Sequence, residues 1–185
     1  MRDRARCCDV QHDERPGAPV TARHGGSGDG FVRCSDGHVR WGVYGAAGAL
    51  FVTRAADGRS VVMLQLRSGF AHEGGTWSCA GGALDHGESP LDGALREAAE
   101  EVGRPVGDVR VLGHYVFAPA IDWSYTTAVV EVPVAFGDSL NFETDAVSWV
   151  PLDEVDRMPL HPGFAAAWPH LRQIIDRRPA TNSAE

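Results

Sequence analysis

Five ionisable residues recur at fixed intervals in one short stretch. Glu88, Arg96, Glu97, Glu100 and Glu101 stand between Gly82 and Gly103 in the spacing G-x5-E-x7-R-E-x-x-E-E-x-G. At ordinary residue usage that coincidence arises on the order of 10^-8 times per starting position, so the pattern demands a cause. On a helix, Glu97 and Glu101 (four apart) and Glu97 and Glu100 (three apart) share a face and repel by roughly 0.2–0.5 kcal/mol per pair. A hard divalent cation offsets the repulsion. Mg2+ takes carboxylate oxygens and keeps waters for substrate phosphates, and Mn2+ is chemically similar. Arg96, four residues before Glu100, can orient a carboxylate such as that of Glu88. A solvated acidic face, the ordinary account of a charge run, explains neither the glycines nor the isolated Glu88.

The helix that must position these acids is legible. Ser89 suits the N-cap, Pro90 the first helical position, and Asp92 the positive end of the helix. Gly103 supplies the stop, so the helix is predicted over about 90–102. Leu91, Leu95, Ala98 and Val102, with Ala94 beside them, make its buried stripe. Upstream, Val43 to Arg54 and Val61 to Leu66 read as strands around the Ala56-Asp57-Gly58-Arg59 turn. A strand at Trp77 enters the Gly81-Gly82 turn. Further strands are expected at Val109–Val116, Tyr125–Val134 and Ala146–Val150. Leu152 to Met158 suggests one or two helical turns. A last helix over Gly163–Arg177 is interrupted at Pro169, which marks either its start or a kink. Strands on both sides of a central helix, plus a late helix, give an α/β sandwich.

Residues 82–104, GALDHGESPLDGALREAAEEVGR, resemble the Nudix box. This is the signature of a family that hydrolyses nucleoside diphosphates linked to another moiety. Two positions depart from the family pattern: Arg104 stands where an aliphatic residue follows the last glycine, and Ala80 where Pro is common. The resemblance implies a Nudix-type α/β/α sandwich with a mixed central sheet and the box as loop–helix–loop. It also implies metal-dependent hydrolysis of a pyrophosphate bond in a nucleoside triphosphate (including an oxidised one), ADP-ribose or a nucleotide sugar, with Mg2+ or Mn2+ as cofactor. The implied ligands are Glu97 and Glu101, with Glu100 as a ligand or an aid to water activation, and the backbone carbonyl of Gly81. Glu88 is expected to orient Arg96 or a metal-bound water. A late-loop carboxylate, chosen as Glu143 over Asp138 and Asp145, is the candidate general base. For the substrate, Arg67 is a phosphate-binding candidate and Arg54 a weaker one, while Trp123 and Tyr125 are candidates to stack on a base. His161 reads as a loop cap. Two other classes stand beside this reading. One is a non-catalytic nucleotide or sugar sensing module, disfavoured because every box acid is present. The other is an isoprenyl diphosphate isomerase using Cys79, which needs further catalytic groups.

Composition narrows the rest. A chain of 185 residues with 43% hydrophobic content can build one domain with a real core. Residues 1–40 read as a disordered or loosely attached extension, with a short hairpin around Asp36-Gly37 and the first 30 residues dispensable for catalysis. Residues 41–178 read as the hydrolase domain and 179–185 as a tail. The net charge of −8 argues against a nucleic-acid partner, and no apolar run reaches membrane-spanning length. A cytoplasmic protein is expected, acting on a small-molecule nucleotide, with a homodimer as a family-typical assembly. All 17 basic residues other than histidine are Arg, so phosphate contacts fall to Arg, backbone N–H groups or metal. Cys34 and His38 form C-x3-H, half of a zinc pair with no second half in the sequence.

Overall fold

The computed structural model describes residues 26–69, 73–139 and 141–178. The expectations for residues 1–25 and for the 179–185 tail lie outside the described residues. The chain order is β1 (Phe31–Arg33), β2 (Val39–Trp41), β3 (Ala46–Arg54), β4 (Ser60–Arg67), β5 (Trp77–Ser78), β6 (Ala80–Ala83), α1 (Pro90–Glu101), β7 (Arg110–Ala120), β8 (Trp123–Glu131), β9 (Thr144–Pro151), a 3-10 turn (Val155–Arg157) and α2 (Pro162–Asp176). β1 and β2 form the hairpin expected around Asp36-Gly37.

Seven strands, β3 to β9, make one mixed sheet. β3 lies at its centre, buried at every position but Arg54, and runs parallel to β8 from Ala46↔Tyr125 to Val52↔Glu131. The other pairings in the sheet are antiparallel. β3 and β4 pair only beside their connecting turn, at Val52–Arg54 against Ser60–Val62, and then diverge. The segment Trp77–Ala83 fills the wedge between them. Its first part, β5, pairs with β4, and its second part, β6, pairs with β3. At the crossover, β6 loses the neighbour that β5 had, and this opens the sheet where the acids arrive.

Each helix covers one face. α1 lies over Ala47, Ala49, Phe51, Met63, Ala80 and Val130. The small residues Ala94 and Ala98 let it approach closely, and both are buried. α2 lies over Leu50, Val52, Leu64 and Val129 through Phe164, Trp168, Leu171 and Ile175. Burying each such large side chain contributes about 1.5–3 kcal/mol. Pro169 does not break α2, which runs unbroken from Pro162. Pro169 is exposed, so the carbonyl deprived of its N–H partner meets water. The mixed sheet between two helices is the α/β/α sandwich expected from the sequence.

Candidate active site

α1 starts and stops as its sequence dictates. The Ser89 hydroxyl accepts from the Asp92 N–H at 3.2 Å, and Gly103, at φ 97°, donates back to the Ala98 carbonyl at 3.0 Å. Between these caps the acids fall on the side of α1 that meets β6 and the open wedge.

Glu101 is the deepest of them, 4% exposed. Its Oε2 accepts two hydrogen bonds, from the Gly81 N–H at 2.9 Å and from Gln65 Nε2 at 3.0 Å. The Gly81 amide is an edge donor of β6 at the point where β4 has moved away, and the carboxylate satisfies it. Gln65 is held in turn by Thr144, whose hydroxyl donates to Gln65 Oε1 at 2.9 Å. Oε1 of Glu101 takes no hydrogen bond from the described residues. Burial pushes this carboxyl up to about 7, against the lowering pull of its two donors.

Glu97 lies one turn earlier. Its Oε1 accepts from the Arg96 guanidinium at 2.6 Å, and its Oε2 lies over Gly82, where a Cβ would collide with it. Burial raises its pKa and Arg96 opposes the rise. Arg96 also donates to both oxygens of Glu88, at 2.9 and 2.8 Å, and to the Ala83 carbonyl at 2.9 Å. The Glu88 carboxyl is held below its ordinary pKa, chiefly by this guanidinium. Glu100 is 64% exposed and 4.0 Å from Arg96. Among the described residues no three Asp, Glu, His or Cys side chains converge on one point. The box acids instead line one helix face, with Glu97 turned to Arg96 and Glu101 set into the wedge.

The two glycines have different tasks. A Cβ on Gly81 would strike the Ala47 carbonyl and the Gly48 Cα, whereas one on Gly82 would strike the Glu97 carboxylate. Gly81 therefore lets β6 lie against β3, and Gly82 makes room for a box acid.

The other sequence candidates divide. Glu143 is exposed, and its charge acts on Glu101, so the β9 entry loop does reach the acid side. Arg67 ends β4 close enough to Cys79 and Tyr125 to bias their ionisation. The Tyr125 hydroxyl is buried beside Cys79, under Gly48 and Gly81, which ties it to the sheet. Trp123 donates its indole N–H to the carbonyls of Trp41 and Gly42 at 3.2 and 3.1 Å, under the Arg40 guanidinium. These contacts anchor the β1–β2 hairpin. Arg54 lies at the far end of β3 from Gly81 and donates to the Gly58 carbonyl at 3.1 Å, in the β3–β4 turn. His161 caps α2, accepting the Gly163 N–H at 3.1 Å. Cys34 and His38 close the hairpin through a backbone bond of 2.8 Å, and the His38 side chain is 75% exposed. Gln65 and Thr144 escaped the sequence reading. Their signal was a lone amide inside the apolar run Val61–Leu66, since a buried amide requires partners.

The model of the NUDIX domain matches residues 44–173, which include the whole acid helix and both glycines. This chain belongs to the Nudix family. It is 41% identical over 152 residues to a Mycobacterium tuberculosis protein named "Putative 8-oxo-dGTP diphosphatase 3", across 80% of this chain and 70% of the relative. It is 35% identical to the Nudix hydrolase RenU of M. smegmatis, whose crystal structure superposes with a TM-score of 0.71 over 84% of this chain and 99% of that one. A C. elegans Ap4A hydrolase complex, at 16% identity, TM-score 0.59 and coverage of 71% and 98%, shares the fold. The chain is thus a Nudix pyrophosphohydrolase acting on small nucleotide derivatives, in a family that works with divalent metal ions. No described helix is long and apolar enough to cross a membrane.

Proposed function

We propose that this Nudix hydrolase cleaves a nucleoside triphosphate, oxidised forms included, using Mg2+ or Mn2+ held by Glu97, Glu100 and Glu101. One observation carries the reading. Buried Glu101 is pinned through Oε2 to Gly81 and Gln65, which leaves Oε1 free of hydrogen bonds on the face that also bears Glu97 Oε2. In an extended strand one residue's N–H and C=O share an edge, so the Gly81 carbonyl joins the same side. An all-oxygen donor set of this kind suits a hard divalent cation.

Such a cation, when bound, neutralises phosphate charge and lowers the pKa of its water. The remaining tasks fall to the chain. Glu101 is pre-positioned by its two donors. Arg96 fixes the Glu97 rotamer, and Glu88 fixes Arg96. Exposed Glu100 has the freedom to complete the set or to take a proton. Glu143 is the candidate acceptor of the attacking water's proton, and Arg67 the candidate phosphate contact. The 41% identity to the mycobacterial protein favours a triphosphate over ADP-ribose or a nucleotide sugar. We also assign the protein to the cytoplasm, with a homodimer as the assembly to test by sedimentation.

A substrate panel with Mg2+, read by product mass, tests the proposal. Triphosphates should yield a nucleoside monophosphate and pyrophosphate, with Glu101→Gln inactive. Cleavage of ADP-ribose alone overturns the substrate assignment, and an active Glu101→Gln overturns the metal-ligand assignment.

A further inference from the structure

Residues 26–43 precede the part of the chain matched by the family model, yet together with Tyr44 and Gly45 they grip the loop between β6 and α1. The Gly26 carbonyl accepts from the His86 N–H at 3.1 Å. The Gly28 N–H donates to Asp85 Oδ1 at 3.2 Å. Tyr44 meets the His86 ring edge to face at 5.2 Å, and the Gly45 carbonyl accepts from the Leu84 N–H at 3.1 Å. The segment is itself fixed by its own hairpin, through Gly42 N–H to Gly30 O at 2.8 Å and Val43 N–H to Gly28 O at 2.9 Å.

Asp85 is where this grip meets the acids. Its own N–H donates to Glu88 Oε2 at 3.0 Å. Glu88 holds Arg96 through two bonds, and Arg96 holds Glu97 at 2.6 Å. Gly28, Asp85, Glu88, Arg96 and Glu97 thus form one uninterrupted chain of hydrogen bonds from the N-terminal segment to a box carboxylate. Loops that carry such chains move unless something ties them down, and Gly28 is buried under this one. A Cβ there would strike the Leu84 carbonyl, so only glycine permits the close approach.

We infer that Gly28 and Asp85 form a positioning latch: the N-terminal segment, by holding Asp85, sets the Glu88–Arg96 pair and through it the orientation of Glu97 toward a divalent cation. This rests on the assignment of Glu97 as a ligand. Asp85 acts through other residues and touches no reacting atom.

The test uses the full chain with Asp85→Ala, Asp85→Asn, Gly28→Ala and the Asp85→Ala/Gly28→Ala double variant. Mn2+ uptake without substrate is followed by the electron paramagnetic resonance of free Mn2+, alongside kcat and KM. Asp85→Ala should weaken Mn2+ binding about 10-fold, the scale of lost support behind a metal ligand, and lower kcat more than KM. Asp85→Asn keeps an acceptor for the Gly28 N–H and should recover most of the loss. Gly28→Ala forces the segment off the Leu84 carbonyl and should weaken Mn2+ binding at least as much as Asp85→Ala, and the double variant should be no worse than Gly28→Ala alone, as expected of one shared interaction. Wild-type Mn2+ affinity in Asp85→Ala, failure of Asp85→Asn to recover it, or fully additive losses would overturn the latch. Absence of Mn2+ uptake by the wild-type protein would sink the ligand assignment beneath it. Should the alanine variants fail to fold, Asp85→Ser, whose shorter side chain withdraws the acceptor from the Gly28 N–H, takes their place with the same expected loss, and wild-type Mn2+ affinity in it overturns the latch.

Discussion

Gln65 and Glu101 face each other across 3.0 Å, the amide of a β4 residue donating to the carboxylate at the end of α1. Both are nearly inaccessible to solvent, at 1% and 4%. An amide flanked by Leu64 and Leu66 thus decides where the deepest box acid points.

Gln65→Leu should therefore damage catalysis without removing any acid. It leaves Glu101 Oε2 with the Gly81 N–H as its one donor among the described residues and strands the Thr144 hydroxyl. Turnover should fall about 10–100-fold, and stability by about 1–3 kcal/mol for the buried groups left unpaired. Thr144→Val should give a weaker version of both effects. Steady-state kinetics and urea melts check this, and full activity in a folded Gln65→Leu protein would show that Glu101 needs no such support.

Glu101 also ties pH to stability in metal-free protein. Burial lifts its pKa from an ordinary 4.5 to about 7. Below 4.5 both folded and unfolded chains hold the proton, so the group contributes nothing. Between 4.5 and about 7 the unfolded chain ionises first, and stability falls as pH rises. Above 7 the loss is complete, on the order of 3 kcal/mol. Urea melts in chelator from pH 4 to 8 should show this decline in the wild type and a shallower one in Glu101→Gln, where buried Glu97 still contributes. Parallel curves would refute the burial argument.

The paired glycines should separate folding from chemistry. In Gly81→Ala the new methyl meets backbone, at Ala47 and Gly48, which cannot yield cheaply. A loss of roughly 2–4 kcal/mol or outright misfolding is expected. In Gly82→Ala the nearest contacts of the methyl are at the end of the Glu97 side chain, which can swing aside. That variant should melt near the wild-type temperature while losing most of its activity. Equal damage to both properties in the two variants would contradict this division.

Cys79 should be a bystander. Burial pushes its thiol up to about 12, so it stays protonated and unreactive at neutral pH. Native protein should resist iodoacetamide at Cys79 at pH 8 and react once unfolded. Cys79→Ala should keep hydrolysing nucleotides. Rapid native alkylation coupled to inactivation would restore the cysteine chemistry that the isomerase alternative requires.

The legible parts of this molecule were the local ones. The caps of α1 and its stripe follow from spacing within about a dozen residues, and the structure buries Ala94, Ala98 and Val102 of that stripe while Leu91 and Leu95 are half-buried. Strand identities were also readable, because Val61–Leu66 and Tyr125–Val134 are largely apolar runs between turn signals. Partnerships across the sheet were not. Nothing local connects Gln65 to Thr144, 79 positions away, or tells that Trp123 holds up Trp41 and Gly42. Arg54 looked like a ligand because its charge follows a strand, but the direction of β3 carries it away from the box. Residues 1–40 read as a disordered or loosely attached extension, whereas Gly28 among them is buried against the Leu84 carbonyl.

The parallel seam between β3 and β8 joins Ala46 to Tyr125, so the middle of the sheet awaits a distant piece of chain. On the ribosome, every box glutamate has emerged before β8 exists, and Thr144 comes later still. The nascent polypeptide carries its box acids before it has the scaffold that aims them, so Glu101 is held in place only once the strand bearing Thr144 has joined β4.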